Sequence, residues 1–95
     1  MKEVKCYSLD VIVQNPNYND LEMFQIIRIM NDCEGIVGVN FDEKAPVQHV
    51  LFDNVENRNK AYNKLKDIDT HGDILIAINM NVCYVDEKYL IRKVS

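Results

Sequence analysis

Alternating apolar and polar positions mark the first stretch of the chain as a β-strand. Between Lys5 and Val13, Tyr7, Leu9, Val11 and Val13 fall on one face, and Cys6, Ser8, Asp10 and Ile12 fall on the other. This period of two is typical of a strand in a sheet. The tripeptide Asn15-Pro16-Asn17 then ends it, because proline cannot continue a ladder and asparagine favours turns.

A helical spacing of apolar residues follows over Asp20 to Asp32. Asn19 or Asp20 can cap the first amides, and Gly35 suits the left-handed stop. The apolar positions form a wide stripe that is predicted to face the core. They are Leu21, Met23, Phe24, Ile26, Ile27 and Met30.

The middle of the chain predicts a hairpin and a second helix. Strands are expected over 36–41 and 47–52, joined by the loop 42–46, with a helix over 54–68. The phase of the first strand places Val37 and Val39 on the side of Val50. In the helix the spacing of Ala61, Leu65 and Ile68 predicts a buried face, and the basic residues are predicted to stay in solvent: Arg58, Lys60, Lys64 and Lys66.

The last third of the chain is rich in strand-like segments. Ile74 to Ile78 is almost entirely apolar, and 82–85 and 89–93 suggest a further hairpin around 86–88. The pattern leaves open whether 74–85 forms one bent strand or two. The order strand, helix, strand, strand, helix, strand resembles the ferredoxin-like βαββαβ arrangement. We therefore expect one α+β domain over 1–95, an antiparallel sheet with two helices on one face and an extra C-terminal strand or hairpin.

Such a sheet leaves its second face without helices. The residues expected there are Cys6, Ser8, Asp10, Ile12, Val47, His49 and Leu51. The strand at 74–78 is polar on neither side, so apolar surface remains to be covered. The C-terminal segment, a second copy or another protein would cover it.

Composition and charge narrow the classes of function. The hydrophobic content of 47% is that of an ordinary globular domain. The net charge of −4 argues against a protein that binds the nucleic-acid backbone, because such a protein needs a basic face. Neither a signal peptide nor an apolar run long enough to span a bilayer is present in the sequence, so a soluble cytoplasmic protein is expected. The three cysteines, Cys6, Cys33 and Cys83, are too few and too widely spaced for a disulfide framework and are expected to be reduced.

The residues that could bind a metal or take part in catalysis form no strong motif. The cysteines, His49 and His71 show no metal-chelating spacing, so neither a metal nor a cofactor is predicted. A nucleophilic pair of Cys6 or Cys83 with His49 would need an orienting group that the sequence does not reveal. Asp10 interrupts an otherwise apolar strand. It is either a metal-binding or acid/base carboxylate or an ordinary outward-facing aspartate.

Three functional hypotheses follow. The first is a non-enzymatic protein-interaction or regulatory module, with a homodimer through the sheet face or an edge strand as one form. Its expected surface comprises Asp10, Ile12, Val47, His49, Leu51, Tyr84 and Tyr89. The small size, the acidity and the abundance of Asn, Ile and Lys are compatible with a phage or mobile-element accessory protein that inhibits a host protein. The second is a nucleic-acid-associated protein using the basic helix. The third is a small-molecule-binding domain or small enzyme with Asp10 and His49 in a concave pocket.

Overall fold

Alternation and helical spacing produce the expected α+β arrangement. The computed structural model of the chain describes residues 2–42 and 46–91. The elements are β1 (Glu3–Val13), α1 (Asp20–Asn31), β2 (Ile36–Asp42), β3 (Val47–Phe52), α2 (Val55–Leu65), β4 (Ile74–Asp86) and a 3₁₀ turn (Glu87–Tyr89). This order confirms the ferredoxin-like βαββαβ fold. Residues 43–45 of the predicted hairpin loop lie outside the described residues.

Within the described residues the sheet has four antiparallel strands in the order β2-β3-β1-β4. The main core fills the space between the helices and one face of the sheet, because the strand residues that face the helices are apolar. Its buried members are Leu9, Val11, Ile26, Met30, Cys33, Val50, Phe52, Ala61, Leu65 and Ile74. Asparagine side chains cap both helices: Asn19 Oδ1 accepts from the Leu21 amide at 2.9 Å, and Asn54 Oδ1 accepts from the Asn57 amide at 2.8 Å.

β4 is one long strand, which settles the alternative that the sequence left open. Its register with β1 shifts between the pairs Tyr7–Val82 and Leu9–Ile78, so the segment 79–81 bulges from the ladder. A bulge bends a strand and re-aims its side chains. Here it brings Asn79 to the middle of the helix-free face, where it contacts β1.

A second register shift changes the predicted phase of β2. The β2–β3 pairing shifts between Ile36 and Gly38, and the intervening Val37 joins the apolar cluster on the helix-free face. The prediction that Val37 shares a side with Val39 is therefore wrong. Sequence alternation cannot reveal the shift, because one inserted residue reverses the phase on only one side of it.

The helices differ from the sequence prediction in length and in burial. α2 ends at Leu65 and not at Ile68, although Ile68 still packs against the core. On α1 only Ile26 and Met30 are buried, whereas Leu21, Phe24 and Ile27 are exposed. The prediction that the whole stripe faces the core is wrong for these three, because the sheet can cover only one side of a helix.

The C-terminal segment crosses the helix-free face. Its described part, 87–91, contains the 3₁₀ turn in place of the predicted hairpin, and residues 92 and 93 lie outside the described residues. The Asp86 side chain caps the turn by accepting from the Lys88 amide at 3.1 Å. The Ile91 amide then donates to the Val37 carbonyl at 2.7 Å, which ties the segment to the opposite edge strand.

Candidate functional site

A partly buried carboxylate with three hydrogen-bond donors occupies the middle of the helix-free face. Asp10 Oδ1 accepts from Ser8 Oγ at 2.6 Å and lies 2.7 Å from His49 Nδ1. Asp10 Oδ2 accepts from Asn79 Nδ2 at 3.2 Å. The Asp10 side chain is only 13% exposed, and Ser8 is fully buried. Burial of a charge is tolerated only when it is paired and hydrogen-bonded, and these donors satisfy that condition.

Strand register brings this group together. Asp10 and His49 are direct cross-strand partners between β1 and β3, and Ser8 lies two residues before Asp10 on the same face. Asn79 arrives from β4 through the bulge. Asp10 lies on the helix-free face, as one of the two interpretations of the sequence expected, but it is not an ordinary surface aspartate, because neighbours on three strands surround its carboxylate.

The Asp10 contact fixes the chemistry of His49. Because the carboxylate can only accept, Nδ1 carries the proton and donates it, as assigned from the hydrogen-bond partner. Nε2 is then the ring nitrogen left to contact a ligand, and in the neutral tautomer it accepts. The His49 side chain keeps 28% of its surface exposed.

His49 forms part of the wall of a groove of about 760 Å³ on this face. We call it the open-face groove. It is lined by Gly38, Val39, Asn40, His49, Leu51, Asn79, Asn81, Cys83, Tyr84, Val85 and Tyr89. No Lys, Arg, Asp or Glu occurs among these lining residues. The groove therefore combines neutral hydrogen-bonding groups with aromatic and aliphatic surface.

A second apolar cluster closes one end of the helix-free face. Buried Cys6, Val37 and Leu51 form its centre, and Leu90 of the crossing segment packs against them. Part of the apolar surface expected to need a cover is thus covered by the C-terminal segment. Leu51, predicted as an interaction residue, belongs to this cluster and also lines the groove.

The predicted interaction residues divide between two regions. Asp10 and His49 are in contact, and His49, Leu51, Tyr84 and Tyr89 line the open-face groove. The remaining two, Ile12 and Val47, are cross-strand partners on the same sheet face but are not among the groove-lining residues.

Two of the cysteines, Cys6 and Cys33, are buried thiols in surroundings that disfavour the thiolate. Burial, more than the neighbouring Cys83 and Asp53, raises the pKa of the Cys6 thiol. The thiol contacts the Val4 carbonyl at 3.6 Å. Burial likewise raises the pKa of Cys33, with Lys64 opposing the shift and Asp32 adding to it. A raised pKa keeps both thiols protonated and weakly nucleophilic. In the described structure His49 pairs with a carboxylate and not with a thiol.

Arg58 also departs from the sequence prediction. It was expected in solvent with the lysines of α2 but is 8% exposed, with its guanidinium carbon 6.0 Å from the Tyr7 ring centroid. Its Nη1 donates to the Asn79 carbonyl at 3.4 Å, so α2 supports the bulge that delivers Asn79 to Asp10. Burial of Arg58 also reduces the basic surface of α2 to Lys60, Lys64 and Lys66.

Two features were missed by sequence reasoning. Asn79 lies 69 residues from Asp10 along the chain, and the sequence pattern around Asn79 does not predict the bulge that brings the two side chains into contact. The exposed residues of α1 did leave a signal, because its apolar positions occur on every side of the helix. Such a helix is either buried all round or contacts something outside its own sheet.

Comparisons with known proteins give no further guidance: no family model, curated protein or solved structure matches this chain. Over residues 2–42 and 46–91, no three His, Cys, Asp or Glu side chains are grouped so that they could hold a metal ion. Nor does any helix in those ranges have the length and apolar character needed to cross a membrane.

Proposed function

We propose that this chain is a non-enzymatic interaction module that holds an uncharged, extended segment of a partner protein in the open-face groove. The observation that carries the proposal is His49, fixed by Asp10 at 2.7 Å, in the wall of a groove whose described lining residues carry no charged side chain. A preorganised hydrogen-bonding group in a concave site loses little entropy when a ligand binds. An accessory protein that inhibits a host protein would use the groove in this way.

The groove chemistry matches a peptide backbone. Asn40 and Asn81 present carboxamides, which donate and accept hydrogen bonds as peptide groups do, whereas the Asn79 carboxamide already contacts Asp10 and the Asn81 amide. Tyr89 adds aromatic surface, and tyrosine is enriched at protein interfaces. Apolar lining residues such as Leu51 and Val85 give room for one or two aliphatic side chains.

The dimensions fit a short segment. The lining residues come from β2 and β3 on one side and β4 on the other, with β1 between them. Three strand spacings make about 14 Å, which an extended chain crosses in about four residues. A partner segment of this length would cross the strands between the two sheet edges.

The hydrogen bonds support binding more than catalysis. Ser8 donates its proton to Asp10, so its hydroxyl is not the partner of His49. Catalysis by a nucleophile needs a base within hydrogen-bond reach of that nucleophile. Across the described residues, the side-chain partner of His49 is Asp10 alone, which orients the imidazole for contact with a ligand.

Selection from a displayed library of random peptides tests the proposal. Selected peptides should bind the wild-type protein saturably in fluorescence anisotropy. His49→Ala should weaken them by about tenfold or more, since groove-wall contacts dominate such binding. Lys60→Ala is the matched control, because Lys60 is exposed on α2 away from the groove, and it should change affinity by less than about twofold.

The same assay decides between the candidate ligands. If no selected peptide depends on His49, the proposal is overturned. If uncharged nucleosides or sugars bind in a His49-dependent way and peptides do not, the groove is a small-molecule site, which is the alternative that the Asp10–His49 pair also favours.

A further inference from the structure

The outer face of α1 carries an apolar stripe that the fold leaves uncovered. Leu21 is 70% exposed, Phe24 65% and Ile27 44%. Exposed single apolar residues are common, but three neighbours on one helix face form a patch of the kind found at protein interfaces. This patch lies on the helix side of the molecule and is separate from the open-face groove.

The residues around this stripe are arranged symmetrically about Phe24. At about 100° per residue, Leu21 and Ile27 lie about 60° to either side of Phe24, and Asp20 and Arg28 lie about 40° to either side. The members of each pair are also equally distant from Phe24 along the chain, at three and four residues. One end of the stripe carries a carboxylate and the other a guanidinium.

We propose that a second copy of this chain packs on this stripe, with the two α1 helices antiparallel and Phe24 at the two-fold axis. A two-fold interface requires one surface to be complementary to itself. About this axis Phe24 meets Phe24 of the other copy, Leu21 meets Ile27, and Asp20 meets Arg28. The Leu21–Ile27 pair and the ion pair then each occur twice, and the Phe24–Phe24 contact occurs once, on the axis.

The charged residues of α1 favour a second copy of the chain as the partner and an antiparallel orientation of the two helices. Asp20 lies in the first turn of α1 and Arg28 in the last, so antiparallel helices pair opposite charges and also align opposite helix dipoles. A parallel arrangement would place Asp20 beside Asp20 and Arg28 beside Arg28. Since each chain carries a net charge of −4, such local complementarity is needed to offset the repulsion between copies.

The size of the stripe predicts a reversible dimer. Three side chains exposed to this degree offer on the order of 300–400 Å² per copy, less than the roughly 800 Å² per partner of a standard interface. Asp20 and Arg28, which are exposed beside the stripe, add polar surface to it. The association should therefore depend on concentration and, through the ion pairs, on salt.

Sedimentation velocity over a range from low micromolar to millimolar concentration tests the dimer. The wild-type protein should shift from monomer to dimer within that range. Phe24→Glu should weaken association by more than about thirtyfold, because it places two like charges at the centre of the interface. Leu75→Glu, at a partly exposed apolar position on β4, is the matched control and should leave association unchanged.

A charge reversal tests the orientation. Asp20→Lys and Arg28→Glu should each weaken the dimer by about threefold to tenfold, and the double variant should restore it. Circular dichroism checks that each variant is folded. The proposal is overturned if the wild-type protein stays monomeric throughout the concentration range. It is also overturned if Phe24→Glu still forms the dimer, as pairing through an edge strand would allow, or if the double variant does not restore association. None of these outcomes depends on the open-face groove, so this test and the peptide test fail independently.

Discussion

At the scale of single residues, Asp10 determines the character of the helix-free face. Its carboxylate joins side chains from β1, β3 and β4, so one partly buried carboxylate orients Ser8, His49 and Asn79 together. A buried polar group left without its partner costs more than the hydrogen bond itself contributes. The network therefore both orients the groove and makes the fold dependent on Asp10.

Asp10→Ala should lower the free energy of unfolding by about 1–3 kcal/mol, because it leaves the buried Ser8 hydroxyl and the His49 ring without their hydrogen-bond acceptor. Urea denaturation measures the change, and the ¹⁵N shifts of His49 report the loss of its fixed tautomer. Glu56→Ala removes a carboxylate whose side chain is 80% exposed and should change the free energy by less than about 0.5 kcal/mol. Equal effects of the two substitutions would contradict a structural role for the network.

Cys6 is buried in the apolar cluster with Val37, Leu51 and Leu90, and its pKa is raised mainly by that burial. The unfolded chain therefore releases the thiol proton at a lower pH than the folded protein does. Stability from this group is complete below the usual thiol value of 9.0 and is lost as pH rises from there to the raised value.

Urea denaturation between about pH 8 and pH 10.5 should therefore show a falling free energy of unfolding, with a contribution from Cys6 of at most about 1.4 kcal/mol per pH unit. Cys6→Ala should make the decline shallower, although it also lowers stability at every pH. Parallel curves for the two proteins would show that the thiol does not carry this dependence.

At the scale of secondary-structure elements, the sequence pattern predicted the strands and helices that have one face towards the core and the other towards solvent. β1 was placed to within two residues because its apolar and polar residues alternate and Pro16 ends the pattern. β3 was placed at its observed bounds because a short apolar-rich run follows the turn at Pro46. The buried side of α1 could not be chosen, because Phe24 and Ile26 are equally apolar and only packing distinguishes them. The alternation in 89–93 suggested a strand, but a cap from Asp86 begins a 3₁₀ turn.

The crossing segment is expected to depend on one side chain. Leu90→Ala should lower the free energy of unfolding by about 1–2 kcal/mol, because Leu90 packs over Cys6, Val37 and Leu51. Ile91→Ala truncates the next side chain, which is exposed, and should have less than about 0.5 kcal/mol effect. Guanidinium denaturation of both variants provides the comparison, and a larger loss in Ile91→Ala would refute this account of the segment.

At the scale of the whole molecule, the two proposed surfaces lie on opposite sides of one sheet. The open-face groove is on the helix-free side, and the α1 stripe is on the helix side. The paired helices would therefore leave both grooves facing outward, and the dimer would offer two equivalent sites. Two linked sites raise the apparent affinity for a partner that presents its segment more than once.

The position of β1 in the sheet also affects how the chain acquires its structure. β1 lies between β3 and β4, so its second ladder connects residues near the two ends of the chain. Pairings that are distant in sequence form slowly, because a long loop must close first. During synthesis on the ribosome, one edge of β1 would stay unpaired until Ile74–Asp86 had emerged. That unpaired edge would be accessible to chaperones or to other nascent chains.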